Sequence, residues 1–142
     1  MRPRVAITGV GLVTALGAAR EESWRRMVAG ECGIGPATVF DAAGYRSRIA
    51  AQVPMREIDA PLTALERRRL SRSDRIGLHA AAEAIHDAGL WVGSVDAARV
   101  GIFLGAGTAD LLRNEQFYHT WMTAGLGWDD SATSVPTAQA QR

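Results

Sequence analysis

Apolar positions along this chain fall into short β-branched blocks and longer stretches with a helical stripe, and the two kinds alternate. Residues 5–10, Val-Ala-Ile-Thr-Gly-Val, form an apolar block without polar alternation. That pattern predicts a strand covered on both faces, as in a parallel sheet. A glycine-marked turn follows. Residues 21–29 predict a helix: Glu21 and Glu22 suit the positive end of its dipole, Trp24, Met27 and Val28 share a face, and Gly30 ends it. Residues 33–61 mix glycine, proline and scattered apolar positions, predicting a loop-rich excursion with residues 49–53 as its strand.

The most legible helix runs from Ser71 or Ser73 as N-cap to Ala88, with Asp74 in its first turn and Gly89 placed for a left-handed C-terminal cap. Ile76, Ala80, Ala81, Ala84, Ile85 and Ala88 give it a broad face of small residues, which predicts close approach to a neighbour and deep packing. Residues 100–104 read as a second buried strand, and Gly105-Ala106-Gly107 turns it into a helix over residues 110–123. Strand, helix, strand, helix predicts an α/β layer architecture with a parallel sheet. After Gly125, a stretch with Asp129, Asp130, Ser131, Thr133, Ser134 and Pro136 reads as irregular connection.

Composition narrows the function. The 142 residues are 47% apolar, enough for one domain with a core. The 16 basic residues are all arginine and face 15 acidic ones, so the net charge of +1 argues against nucleic acid as partner. Without lysine a P-loop is excluded, and Thr14 and Asp110 stand where the two Gly-x-Gly turns need a third glycine to bind a dinucleotide. The lone Cys32 gives no internal disulfide, which fits a reducing cytoplasm. Residues 1–19 imitate a signal peptide, but Gly9, Gly11 and Thr14 suit strand and turn better than a helical apolar region. No run is long and apolar enough for a membrane span.

Candidate chemistry is sparse. His79 and His86 are seven residues apart on one predicted helix, roughly 10 Å, too far to share a metal ion. Cys32 has no basic neighbour in sequence to lower its pKa, and Gly-x-Ser-x-Gly is absent. The basic run Arg67-Arg68-Arg69, with Arg72 and Arg75 beyond it, is the one electrostatic feature that suggests a partner. Helical spacing predicts that Arg68, Arg72 and Arg75 share a face able to attract a phosphate or an acidic protein; the competing reading is a solvated helix start offset by Glu66 and Asp74.

Several segments, in order, resemble the β-ketoacyl-acyl-carrier-protein synthases, the elongating second type in particular. Val5-Ala6-Ile7-Thr8-Gly9-Val10-Gly11 resembles their opening strand and turn; Ser23-Trp24 and Ala29-Gly30-Glu31-Cys32-Gly33-Ile34 resemble the first helix and the turn after it. Phe40-Asp41, the stretch from Arg68 to Arg75 followed by Ala88-Gly89-Leu90, the stretch from Arg99 to Gly107, and Val135-Pro136 continue the match. The resemblance implies a thiolase-like fold, a mixed five-stranded sheet between helices, of which residues 1–142 form the incomplete N-terminal portion of the first α/β unit. It implies decarboxylative Claisen condensation in fatty acid or polyketide synthesis. The nucleophilic cysteine and two histidines would lie beyond Arg142, so no catalytic residue is expected in this chain.

The same resemblance places Thr108 and Ser134 at the acyl pocket, and Arg68 and Arg69 where basic residues meet an acidic acyl carrier protein. No metal or cofactor is implied; acyl groups arrive on the carrier's phosphopantetheine. A homodimer, or a heterodimer with a ketosynthase-like subunit, is the implied assembly. Trp128 and Asp129 depart from the family by replacing a second basic pair, and Ser134 replaces a bulky aromatic. The alternative is a non-catalytic ketosynthase-like interaction module or a partner of the chain-length-factor type.

Overall fold

In the computed structural model, which describes residues 4–91, 93–107 and 111–123, the elements are α1 (Arg20–Val28), β1 (Ile34–Pro36), β2 (Ile49–Ala51), α2 (Met55–Asp59), α3 (Ala64–Arg69), α4 (Arg72–Asp87), a 3₁₀ turn (Ala97–Arg99) and α5 (Leu111–Thr123). Both ends of α4 follow from local chemistry. The Ser71 hydroxyl accepts from the Asp74 amide at 3.1 Å while the Asp74 carboxylate accepts from the Ser71 amide at 2.9 Å, a reciprocal capping box. At the other end Gly89 adopts φ +65°, and the Gly89 and Leu90 amides fold back onto the His86 and Ile85 carbonyls, both at 3.0 Å. This is a Schellman ending. Helix α1 ends the same way, with Gly30 at φ +75° and the Gly30 and Glu31 amides on the Met27 and Arg26 carbonyls.

The predicted opening strand does not form. Residues 4–13 run as irregular backbone, and Val5 and Ile7 are almost fully exposed. Residues 100–104 likewise form no strand, and Ile102, Phe103 and Leu104 are open to solvent. A strand exists only through its ladder, and neither segment finds a hydrogen-bonding neighbour strand among the described residues. The predicted parallel sheet is therefore not formed there. Instead β1 and β2 pair antiparallel, with Ile34 opposite Ala51 and Pro36 opposite Ile49. Gln52 closes the hairpin by donating to the Pro36 carbonyl at 2.8 Å and accepting from the Thr38 amide at 3.2 Å. The predicted strand over residues 49–53 is thus shorter than expected, and its partner β1 falls within the predicted loop-rich excursion.

The core is thin. Among the described residues the buried apolar side chains are Ala18, Ala42 and Ile58, joined by the buried hydroxyls of Ser23 and Ser71. The expected apolar face of α1 is not covered: Trp24, Met27 and Val28 are exposed, and Ser23 is the residue it buries. Ser23 lies at 2.9 Å from the Thr14 hydroxyl and donates to the Gly17 carbonyl at 3.3 Å, fastening the turn that Thr14 and Gly17 close by mutual backbone bonds. Nor is α4 deeply packed. Its covered side, Ile76, His79, Ala80, Glu83, Ala84 and Ala88, is only half-buried, and Ala81 and Ile85 fall on the open side. The sheet expected beneath it is absent from the described residues; the segment around Gly9 and Gly11 and helix α2 lie against it instead.

The chain divides into two units, Met1–Leu104 and Gly105–Arg142. In the second, α5 begins at Leu111, close to the predicted start at Asp110, which lies outside the described residues, as does the predicted connection after Gly125.

Candidate functional site

Helix α4 is the bench on which the first unit is assembled, and it works through two polar clusters. At its C-terminal half, Glu83 and Asp87 are one turn apart. Glu83 accepts from the Leu12 amide and, with its other oxygen, from the Arg20 amide, both at 2.8 Å. Asp87 accepts from the Val10 amide at 2.9 Å and from the Arg20 guanidinium, which also reaches the Val10 carbonyl. The Arg20 hydrogen bond, helped by the Val10 amide, holds the Asp87 carboxyl below the usual carboxylate range; the same bond raises the Arg20 guanidinium. Between these bonds Gly9 and Gly11 bring backbone against backbone, with no room for a Cβ beside Ala80 and Ala84. These glycines serve close contact with a helix.

The second cluster sits at the start of α4. Arg75 bonds both Asp59 carboxylate oxygens at 2.8 and 2.7 Å, fixing the end of α2 beside the fully buried Ile58. Arg67 donates to the backbone carbonyls of Asp59 at 3.2 Å and Leu62 at 2.6 Å. Helix α3 starts with its own capping box, Thr63 with Glu66, and the Thr63 hydroxyl and then its amide hold the Glu66 carboxyl below its ordinary range.

The basic run is therefore divided by the fold. Arg68 and Arg69 occupy the last turn of α3, both exposed, with no hydrogen bond or ion pair among the described residues. Leu70 then turns extended, at ψ 135°, so Arg68 does not share a helical face with Arg72 and Arg75 as the spacing predicted. Arg75 is committed inward to Asp59. What the run leaves for a partner is Arg72, in the first turn of α4, and the adjacent pair Arg68–Arg69, whose guanidiniums are able to make charge-assisted bonds to carboxylates or phosphates.

Other sequence candidates are not brought together. His79 is half-buried on α4, whereas His86 stacks edge-on against Trp91 with ring centres 5.5 Å apart. Among the described residues no group of three His, Cys, Asp or Glu side chains could hold a metal ion, and no helix is long and apolar enough to cross a membrane. Cys32 is an exposed free thiol. Thr108 and Ser134, the expected acyl-pocket residues, lie outside the described residues, as do Trp128 and Asp129. Sequence reasoning missed Asp59, Glu83 and Asp87. The four-residue spacing of Glu83 and Asp87, one turn apart on a predicted helix, was the available signal for two of them.

Comparison with known proteins agrees with the resemblance. The family model for the beta-ketoacyl synthase N-terminal domain matches residues 2–138. The 3-oxoacyl-[acyl-carrier-protein] synthase 2 of Coxiella burnetii is 34% identical over 86% of this chain, and that of Vibrio cholerae 31% identical over 76%. The tetracenomycin polyketide synthase ketoacyl synthase alpha subunit of Streptomyces glaucescens is 30% identical over 88%. The chain spans 30%, 26% and 29% of these three proteins respectively. With a match over nearly its whole length, the chain belongs to the beta-ketoacyl synthase family, within the N-terminal domain.

Proposed function

We propose that, in its complete protein, this chain forms the front of a 3-oxoacyl-acyl-carrier-protein synthase acting in fatty acid or polyketide synthesis. A cysteine thiolate supplied by the rest of the protein holds the acyl group as a thioester. Malonyl-carrier protein loses carbon dioxide, and the resulting enolate carbon attacks the thioester carbonyl. The new carbon–carbon bond forms as the cysteine thiolate leaves. The observation that carries this reading is the family match over residues 2–138 together with relatives whose names state that activity.

Within that reaction this chain's own part is scaffold and docking. Arg68 and Arg69 meet the acidic carrier, and Thr108 and Ser134 contribute to the acyl pocket. The exposed segments around Ile7 and Phe103 join the mixed sheet of a thiolase-like fold once the remaining strands are present. The protein works in the cytoplasm as a homodimer or beside a second ketosynthase-like chain; a relative named as an alpha subunit supports the latter assembly.

The test is direct. Purified complete protein, supplied with acyl- and malonyl-carrier proteins, is expected to release carbon dioxide and form 3-oxoacyl-carrier in equal amounts. Absence of condensation, with stimulation of a separate ketosynthase instead, would replace this reading by the non-catalytic partner.

A further inference from the structure

Arg67 and Arg75 reach the same residue from two helices. Arg75, on α4, grips the Asp59 carboxylate through both oxygens, and Arg67, on α3, grips the Asp59 carbonyl. Asp59 itself ends α2 and follows Ile58, which is wholly buried. One residue thus links α2, α3 and α4. The Arg75–Asp59 pair is half-buried, with side chains 19% and 24% exposed, so salt screens it less than a pair in open solvent. Arg68 and Arg69 follow Arg67 directly in the chain, and α3 is only six residues long. A helix that short has little rigidity of its own. Arg67 also donates to the Leu62 carbonyl at 2.6 Å, so this one side chain ties α3 both to Asp59 and to the segment between α2 and α3.

We propose that Asp59 and Arg75 are positioning residues for the Arg68–Arg69 pair, holding its guanidiniums in the geometry that an acidic carrier protein meets; this rests on the docking reading above. Long-range attraction depends on charge and survives a loosened helix. The lifetime of the docked complex depends on geometry, because two adjacent forks must meet fixed carboxylates together. Loosening the anchor therefore shortens the complex without abolishing encounter.

The complete protein and an acyl carrier protein, followed by binding kinetics, test this. Asp59→Asn leaves one more positive charge at the site and Arg75→Gln one fewer, yet both are expected to raise the dissociation rate, by about fivefold to tenfold. The double variant is expected to be no worse than the weaker single, since both remove one interaction. Opposite effects of the two singles would mean that only the local field matters, and would overturn the proposal. A reduced binding-competent fraction with an unchanged dissociation rate would reveal mere destabilisation and also overturn it. Arg68→Glu with Arg69→Glu serves as the reference, expected to slow association and flatten its salt dependence. If that reference leaves carrier binding unchanged, the docking reading falls and the positioning role with it; if it weakens binding while Asp59→Asn and Arg75→Gln do not alter dissociation, the positioning role alone falls.

Discussion

Gly11 runs so close to Ala80 of α4 that a methyl group placed on it would overlap the Ala80 backbone, with the Ala84 amide nitrogen 2.9 Å away on the same side. Backbone cannot yield as a flexible side chain does. Gly11→Ala is therefore expected to destabilise the complete protein by about 1–3 kcal/mol in urea unfolding. Gly77→Ala, where nothing lies within 4 Å of the added carbon, is expected to stabilise it by about 0.5–1 kcal/mol through helix propensity. Equal effects at the two positions would rule out the close approach of residues 9–12 to α4.

Acid sensitivity follows from Asp87. Its carboxyl is depressed by Arg20 and the Val10 amide, so its folded pKa lies below the unfolded value of about 3.9. Its contribution to stability is complete above that value and is lost as the pH falls through the folded pKa. Asp87→Asn is expected to remove this part of the acid slope of the unfolding midpoint, leaving a remainder from Glu66, whose carboxyl is also lowered. An unaltered slope would contradict the Arg20–Asp87 pairing.

Ser71 caps α4 from a buried position. Replacing it with alanine removes the acceptor for the Asp74 amide and is expected to cost about 1–2 kcal/mol, with faster hydrogen exchange at Asp74, whereas Ser71→Asp retains most of the stability. Unchanged exchange in Ser71→Ala would show that the cap does not hold the helix end.

Reversing both docking charges, Arg68→Glu with Arg69→Glu, is expected to weaken the complex with an acidic carrier at least about tenfold at low salt, the deficit shrinking as salt rises. Isothermal calorimetry at two ionic strengths measures it. Carrier affinity equal to that of the parent protein at low salt would dismiss the pair as a docking site.

Residues 1–142 alone are expected to self-associate. Ile7, Ile102, Phe103 and Leu104 are 82% exposed or more, and bare apolar segments that lack a ladder partner recruit one another. Size-exclusion chromatography decides this: a single monomeric peak with a cooperative thermal transition would contradict the expectation.

What the sequence made legible was local. Ser71, Asp74 and Gly89 mark the ends of α4 because caps and left-handed glycines act within a few residues. The Thr63–Glu66 capping box was equally readable and announces α3, but a six-residue helix has no apolar stripe to draw attention to it. Residues 5–10 carry a strand's composition without its ladder, since composition cannot supply the neighbour. The Arg20–Asp87 and Arg75–Asp59 bonds join residues 67 and 16 positions apart, beyond any spacing rule. At the candidate site, Arg68 and Arg69 were visible as charge; which arginines the fold would commit inward was not.

Helix α1 has no cap of its own. Ala19 offers no side-chain acceptor, and the Arg20 amide is satisfied by Glu83, 63 residues later in the chain. During synthesis α1 leaves the ribosome well before the residue that completes it, so its first turn waits as an open end until α4 has been made and folded back. Translation and completion thus run in different orders in this segment: α1 is made before α2, α3 and α4 but is finished only once most of α4 exists.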